Sequence, residues 1–295
     1  MQNKDGETFL RAGCGIKLTN VGYAKIGADG KLSTGMYKWE IDIAAHELLG
    51  LSGAVADAVN AASAELEAVL GEVVASSQVE LTINDPETGA RIIRSAESNL
   101  GDLCADAYRA MTQADIAFVN GGGIRVSIPA GDITMNDIYK VHTFGNALCM
   151  VEVTGQQVLD ALEWGAHAFP GENGGFLQVS GLTYEIHSYL ESAVTQDENT
   201  LFTGVDGEYR VKNVMVGGEP LDLEKIYTLA SHNYMLKDQG DGFTMFAGCN
   251  LLLDETMLDN QVLITYIRDN LGGVVGEEYA DPYGQGRIIG VTEAP

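Results

Sequence analysis

The chain has 295 residues, 45% hydrophobic and 20% charged, which suits a folded protein of one large domain or two. Asp plus Glu outnumber Lys plus Arg by 42 to 17, a formal net charge of −25, and a field of that sign argues against binding DNA or RNA. No apolar run approaches the roughly 20 residues of a membrane-spanning helix, and the N-terminal residues Met1-Gln2-Asn3-Lys4-Asp5 lack a secretory pattern.

Residues 1–40 read as short strand-like pieces at 7–11, 21–26 and around Leu32, with Asp29-Gly30 as turn chemistry before the last. They are too few for a domain of their own, so they are expected to close a sheet that lies elsewhere. From residue 52 to 74 the composition turns to Ala, Glu and Val. There Val55, Val59, Ala62, Leu66, Val69 and Leu70 recur at helical spacing. The expected organisation is therefore a residual domain end at 1–50, a connecting helix at 51–77 and a main domain at 78–295.

The main domain opens with an alternating strand at 79–83. Asn99 is then expected to cap a helix, with Asp102 three residues on. Leu100, Leu103, Cys104, Ala107, Tyr108 and Met111 give that helix one apolar face. A buried strand at 115–119 runs into Asn120-Gly121-Gly122-Gly123-Ile124-Arg125. Three glycines let a backbone bend sharply and approach a ligand closely. Thr134 with Asp137, and Thr154 with Gln157, read as capping boxes for two further helices. Residues 142–146 read as an exposed loop, 147–153 and 182–186 as strands, and 190–207 as a polar, mobile loop. Strands at 209–216 and 227–231, a helix through Leu258, Val262, Leu263, Tyr266 and Ile267, and a strand at 287–291 complete the chain. The expected class is α+β, with mixed sheets packed against helices.

A nucleotide site needs cations for phosphate, hydrogen-bond partners for ribose and flat surfaces for the base. Arg94 and Arg125 offer planar cations. Asn120 and Asp241 offer polar groups for a sugar or a base edge. Phe144 and Tyr234 offer rings, and stacking contributes about 1–3 kcal/mol per base. The four cysteines, Cys14, Cys104, Cys149 and Cys249, are widely spaced and read as buried apolar residues. The five histidines (His46, His142, His167, His187 and His232) form no metal-ligand spacing and read as surface or packing residues, with His142 and His232 bordering the expected site. Trp39 and Trp164 read as packing residues.

Five motifs in order, ESNLGDLCADA (97–107), NGGGIR (120–125), HTFGN (142–146), GGFLQVSGL (174–182) and GDGF (240–243), resemble the C-terminal domain of the 5′-nucleotidase family. That family includes UDP-sugar hydrolases and 2′,3′-cyclic-nucleotide phosphodiesterase/3′-nucleotidases. The resemblance covers about residues 78–292 and implies a layered α/β/β/α substrate-binding domain that holds the nucleoside part of a nucleotide. It implies Arg94, Asn120, Gly122, Arg125, Phe144, Asn146, Tyr234 and Asp241 as substrate-binding residues, with Phe243 competing with Tyr234 as the second stacking ring. It further implies that phosphate cleavage belongs to an N-terminal metallophosphatase domain holding divalent ions such as Zn or Mn. This segment would then carry no catalytic residue or cofactor, would bind nucleosides or nucleotides weakly, and would hydrolyse nothing alone. Its partners would be the nucleotide and that N-terminal domain, and its location extracytoplasmic: secreted, cell-wall or periplasmic. The same domain from a UDP-sugar hydrolase or a cyclic-nucleotide phosphodiesterase, or a non-catalytic structural or dimerisation module, are the alternatives.

Overall fold

A computed structural model describes residues 20–26, 31–38, 61, 64 and 66–294. The chain divides into two units, residues 1–67 and 68–295. In the first, β1 (Asn20–Ile26) and β2 (Leu32–Lys38) pair as an antiparallel hairpin. The expected strand at 7–11, Cys14, Trp39 and most of the expected helix at 52–74 lie outside the described residues.

The described helical residues end at Leu70, and β3 (Val73–Ser77) is a strand where the helix was expected to continue. Gly71 weakens a helix, and the β-branched pair Val73-Val74 packs better on a pleated surface. In chain order there follow α1 (Asn99–Thr112), β4 (Ile116–Asn120), β5 (Gly131–Thr134), α2 (Met135–Val141), β6 (Leu148–Thr154) and α3 (Gly155–Gly165). Next come β7 (Leu177–Ser180), β8 (Leu182–His187), β9 (Val194–Gln196), β10 (Phe202–Val205), β11 (Val211–Val216) and β12 (Glu219–Pro220). The last elements are β13 (Ile226–His232), α4 (Asn233–Leu236), β14 (Asn250–Leu253), α5 (Asp259–Thr265), β15 (Val274–Val275) and β16 (Ile288–Val291).

Five strands form a mixed sheet in the order β14-β6-β13-β4-β7, in which β13 and β4 run parallel. A second mixed sheet has the order β12-β11-β8-β16, and a third, β15-β3-β5. Because successive strand side chains point to opposite faces, β4 serves two cores. Ala117 and Val119 pack with Leu100, Leu103 and Tyr108 of α1 and with Val262 and Leu263 of α5. Ile116 and Phe118 pack with Val158 and Leu162 of α3 and with Tyr184, Ile186 and Val211 of the second sheet. The fold is thus a mixed-sheet α/β architecture, with the five-stranded sheet between helices on one side and a second sheet with α3 on the other.

Both expected capping boxes form, Thr134 with Asp137 and Thr154 with Gln157. The cap of α1 differs by one residue. Ser98 is the N-cap, its hydroxyl accepting from Gly101 N at 3.1 Å. Asn99 instead ties three segments together: Oδ1 accepts from Thr82 N at 2.8 Å, and Nδ2 donates to the carbonyls of Glu80 at 2.8 Å and Tyr279 at 2.9 Å. That use of side chains also explains why residues 79–83 are not a strand. Only Leu81 bridges a neighbour, Ile128, while Ser127 Oγ takes the Ile83 N–H at 3.0 Å. The expected mobile loop at 190–207 contains the β9–β10 hairpin. It is pinned by buried Phe202 and by Asp197, which accepts from the backbone of Asn199 and Leu201.

The C-terminal segment is tied to the start of α1. Glu97 accepts from Gln285 N at 2.6 Å and from Ile288 N at 2.8 Å. Arg287 donates in bidentate fashion to Asp106, at 2.9 and 2.8 Å.

Candidate functional site

Asn120 and His232 end the parallel neighbours β4 and β13, at the carboxyl edge where open sheets leave a crevice. A cavity of about 540 Å³ opens there. Arg94, Asn120, Gly122, Arg125, Phe144, Asn146, Tyr234 and Asp241 line it, together with Gly123 of the triglycine turn and Gly174, which was not among the expected binding residues.

Gly122 matters for space rather than for φ. Its N–H donates to the Gly174 carbonyl at 2.7 Å, and a Cβ there would come within 2.9 Å of that oxygen. The signal for Gly174 was present in the GGFLQVSGL motif, but only the fold shows that two glycine turns meet face to face.

One wall of the cavity is a closed hydrogen-bond network. Asn120 Nδ2 donates to Asp241 Oδ2 at 2.6 Å, and Tyr234 OH donates to Asp241 Oδ1 at 2.9 Å. The Tyr234 hydroxyl in turn accepts from Asp241 N at 3.1 Å. Trp164, expected as packing alone, donates its Nε1–H to the Asp241 carbonyl at 2.8 Å. Gln239 (φ 56°) and Asp241 (φ 52°) hold left-handed backbone, a conformation that persists in non-glycine residues where surroundings over-determine it. Between them, a Cβ on Gly240 would run into the Tyr234 ring.

A second part of the lining is cationic. The Arg125 guanidinium lies over the Phe144 ring, 5.7 Å from its centroid, and donates one bond to the Gly122 carbonyl at 3.1 Å. Phe144 is 62% exposed. Arg94 Nε is buried and has no hydrogen-bond partner among the described residues. Burial, then the neighbouring charges of Arg91 and Arg125, lowers the Arg94 pKa from its ordinary value. Arg91 itself is engaged by Glu172.

Two expectations are corrected, those for Phe243 and His142. Phe243 does not reach the cavity: it is fully buried, stacked on Phe246 with centroids 6.0 Å apart and planes at 12°. Gly242, at φ 83°, turns the chain inward and sends that ring into the core. His142, expected in an exposed loop, is buried beside Cys104 (3.6 Å) and Asp259 (3.8 Å). Burial pushes its pKa down to about 4 and that of Asp259 up to about 6, so near neutral pH the imidazole is uncharged and the contact is not an ion pair. His232 is buried behind the network, its Nε2 at 3.0 Å from Asn120 Oδ1, and burial pushes its pKa down to about 3. Among the described residues, no group of three or more His, Cys, Asp and Glu is placed to hold a metal ion. No helix there is long and apolar enough to cross a membrane.

Residues 73–248 match the family described as 5′-nucleotidase, C-terminal domain. A 5′-nucleotidase from Vibrio cholerae is 32% identical over 62% of this chain and 29% of its own length. A trifunctional nucleotide phosphoesterase protein from Bacillus subtilis is 34% identical over 57% of this chain and 12% of its own. The chain thus spans less than a third of these two curated relatives. A 5′-nucleotidase precursor from Thermus thermophilus superposes with a TM-score of 0.67 at 28% identity, covering 100% of this chain and 54% of that one. With four of its five motifs contributing to one cavity and the matched region spanning most of the second unit, this chain belongs to the 5′-nucleotidase C-terminal domain family.

Proposed function

We propose that this chain is the substrate-binding domain of a 5′-nucleotidase-type phosphoesterase, holding the nucleoside part of a nucleotide. The observation that carries the reading is one cavity faced by two aromatic rings, two guanidinium groups and a carboxylate. In this reading Phe144 and Tyr234 stack the base, Asp241 and Asn120 take the sugar hydroxyls, and Arg94 and Arg125 face the anionic end. Gly122 keeps the loop close to the ligand, and Asn146 completes the rim. Cleavage of the phosphate is assigned to a metal-binding domain of the same protein. A Listeria monocytogenes relative is named a cell wall protein, which supports an extracytoplasmic setting.

Calorimetric titration with adenosine and AMP tests the reading. Binding of both is expected, and Phe144→Ala should weaken both by about 1–3 kcal/mol, the range for loss of base stacking. Arg125→Ala should weaken AMP more than adenosine. Binding that neither substitution alters would sink the site assignment. Ligand at a hundred times its Kd should also stabilise the fold by about 2.7 kcal/mol, whereas a purely structural module predicts no such shift.

A further inference from the structure

The closed wall of the cavity depends on a residue behind it. The Asn120 amide has two chemically opposite ends, an acceptor oxygen and a donor nitrogen. A carboxylate oxygen can only accept, so the end 2.6 Å from Asp241 Oδ2 must be the nitrogen. The oxygen therefore faces His232 Nε2 at 3.0 Å, and that contact is a hydrogen bond only if His232 carries its proton on Nε2. His232 Nδ1 is buried without a hydrogen-bond partner among the described residues. This fits a bare nitrogen there, because an orphaned buried N–H is rarer than an orphaned acceptor. The ring has little freedom to turn: Tyr108 meets it edge-on at 6.3 Å, and Tyr234 lies 6.0 Å away at 35°.

We infer that His232 is a positioning residue for ribose recognition, fixing through Nε2–H which end of the Asn120 amide faces Asp241. The inference rests on the nucleotide-binding reading above. Among the described residues each Asp241 oxygen has one side-chain donor, Asn120 Nδ2 on Oδ2 and Tyr234 OH on Oδ1. Each oxygen therefore keeps lone-pair capacity for one ligand hydroxyl. That arrangement suits a vicinal diol, so the favoured ligand is a ribonucleoside with both hydroxyls free. With the amide reversed, Asn120 Oδ1 would oppose Asp241 Oδ2, two acceptors without a proton between them, and the carboxylate would leave this geometry.

The test is a calorimetric comparison of adenosine with 2′,3′-dideoxyadenosine on the unaltered chain, His232→Leu and His232→Gln. The unaltered chain should favour adenosine. His232→Leu should cut that preference by about tenfold or more, the scale of one hydrogen bond to a charged acceptor, with dideoxyadenosine affinity held within about threefold. His232→Gln keeps an N–H for Asn120 and should retain the preference within about threefold. The inference is overturned if His232→Leu leaves the preference intact. It is equally overturned if His232→Gln fails as badly as His232→Leu, or if both variants weaken both nucleosides alike. A ligand-free readout separates this from the parent reading. Nitrogen-15 NMR should find the Nε2–H tautomer of His232, and the Nδ1–H tautomer would overturn the inference. If the unaltered chain binds neither nucleoside, the nucleotide reading falls instead, and the spectrum still decides the state of the imidazole.

Discussion

The two walls of the cavity are built on different principles. On one, Asn120, Tyr234 and Asp241 hold each other through bonds of 2.6 to 3.1 Å, with Trp164 and His232 bracing them from the core. On the other, among the described residues, Arg94 Nε has no partner and Arg125 bonds to the Gly122 carbonyl while lying over the exposed Phe144 ring. The first wall is preorganised, so little ordering entropy is lost when a ligand docks. The second keeps side-chain freedom and unspent charge. A rigid acceptor set gives selectivity among neutral groups, and a loose cationic set tolerates different anionic groups at one position.

The sharpest way to break this contrast is Asp241→Asn. An amide there has no charge and only one acceptor oxygen, so it cannot serve Asn120, Tyr234 and two ligand hydroxyls as the carboxylate does. Adenosine affinity should fall about 100-fold, the scale expected when a hydrogen bond to a charged acceptor is lost, and the fold should lose about 1–3 kcal/mol in urea titration. A loss confined to affinity would mean that the wall is not preorganised. Next, Tyr234→Phe keeps the ring but removes a hydroxyl that both donates to and accepts from Asp241. Adenosine binding should weaken about tenfold, and an unchanged Kd would reduce Tyr234 to a stacking surface.

The loose wall should answer differently. Arg125→Lys keeps the charge but loses the planar fork over Phe144. AMP affinity should drop about threefold to tenfold with adenosine unaffected, and the AMP effect should shrink at high salt if the contact is exposed. Phe144→Ala should leave stability within about 0.5 kcal/mol, because the ring is exposed. A larger destabilisation, read from the urea midpoint, would show that this wall is structural as well.

A last prediction concerns acid. Burial holds the His232 pKa down at about 3, against roughly 6.5 in an unfolded chain. Below pH 6.5 the unfolded state therefore binds the proton that the folded state refuses. The histidine's contribution is complete above pH 6.5 and is lost as pH falls, by about 1.4 kcal/mol per unit. His232→Gln has no such group, so the stability difference between the two chains should shift toward the variant between pH 6.5 and 4. A difference that stays constant over that range would mean the imidazole charges freely in the folded chain.

Much of the cavity lining was legible in the sequence because its residues sit in short motifs whose chemistry is local. The triglycine turn, the exposed ring of HTFGN and the carboxylate of GDGF advertise a loop site directly. The two capping boxes were legible for the same reason, since cap and partner are three residues apart. What failed needed distant partners. Phe243 and Tyr234 are both aromatic residues beside one loop, and only the left-handed turn at Gly242 sends the former into the core. Asn99 looked like a helix cap, yet its amide is spent on segments 17 and 180 residues away. The hairpin in 190–207 escaped notice because its strands are short and its sequence polar, so hydrophobic alternation had too few residues to show itself.

The tie between Glu97 and the backbone of Gln285 and Ile288 reaches further than packing. Glu97 stands three positions after Arg94, so the loop presenting that arginine is moored by residues from the far end of the chain. A protease nicking the exposed turn at Tyr283 would leave every recognition motif intact while cutting the mooring line. Trimming by a dozen residues should therefore blunt selectivity for anionic ligands before the protein unfolds.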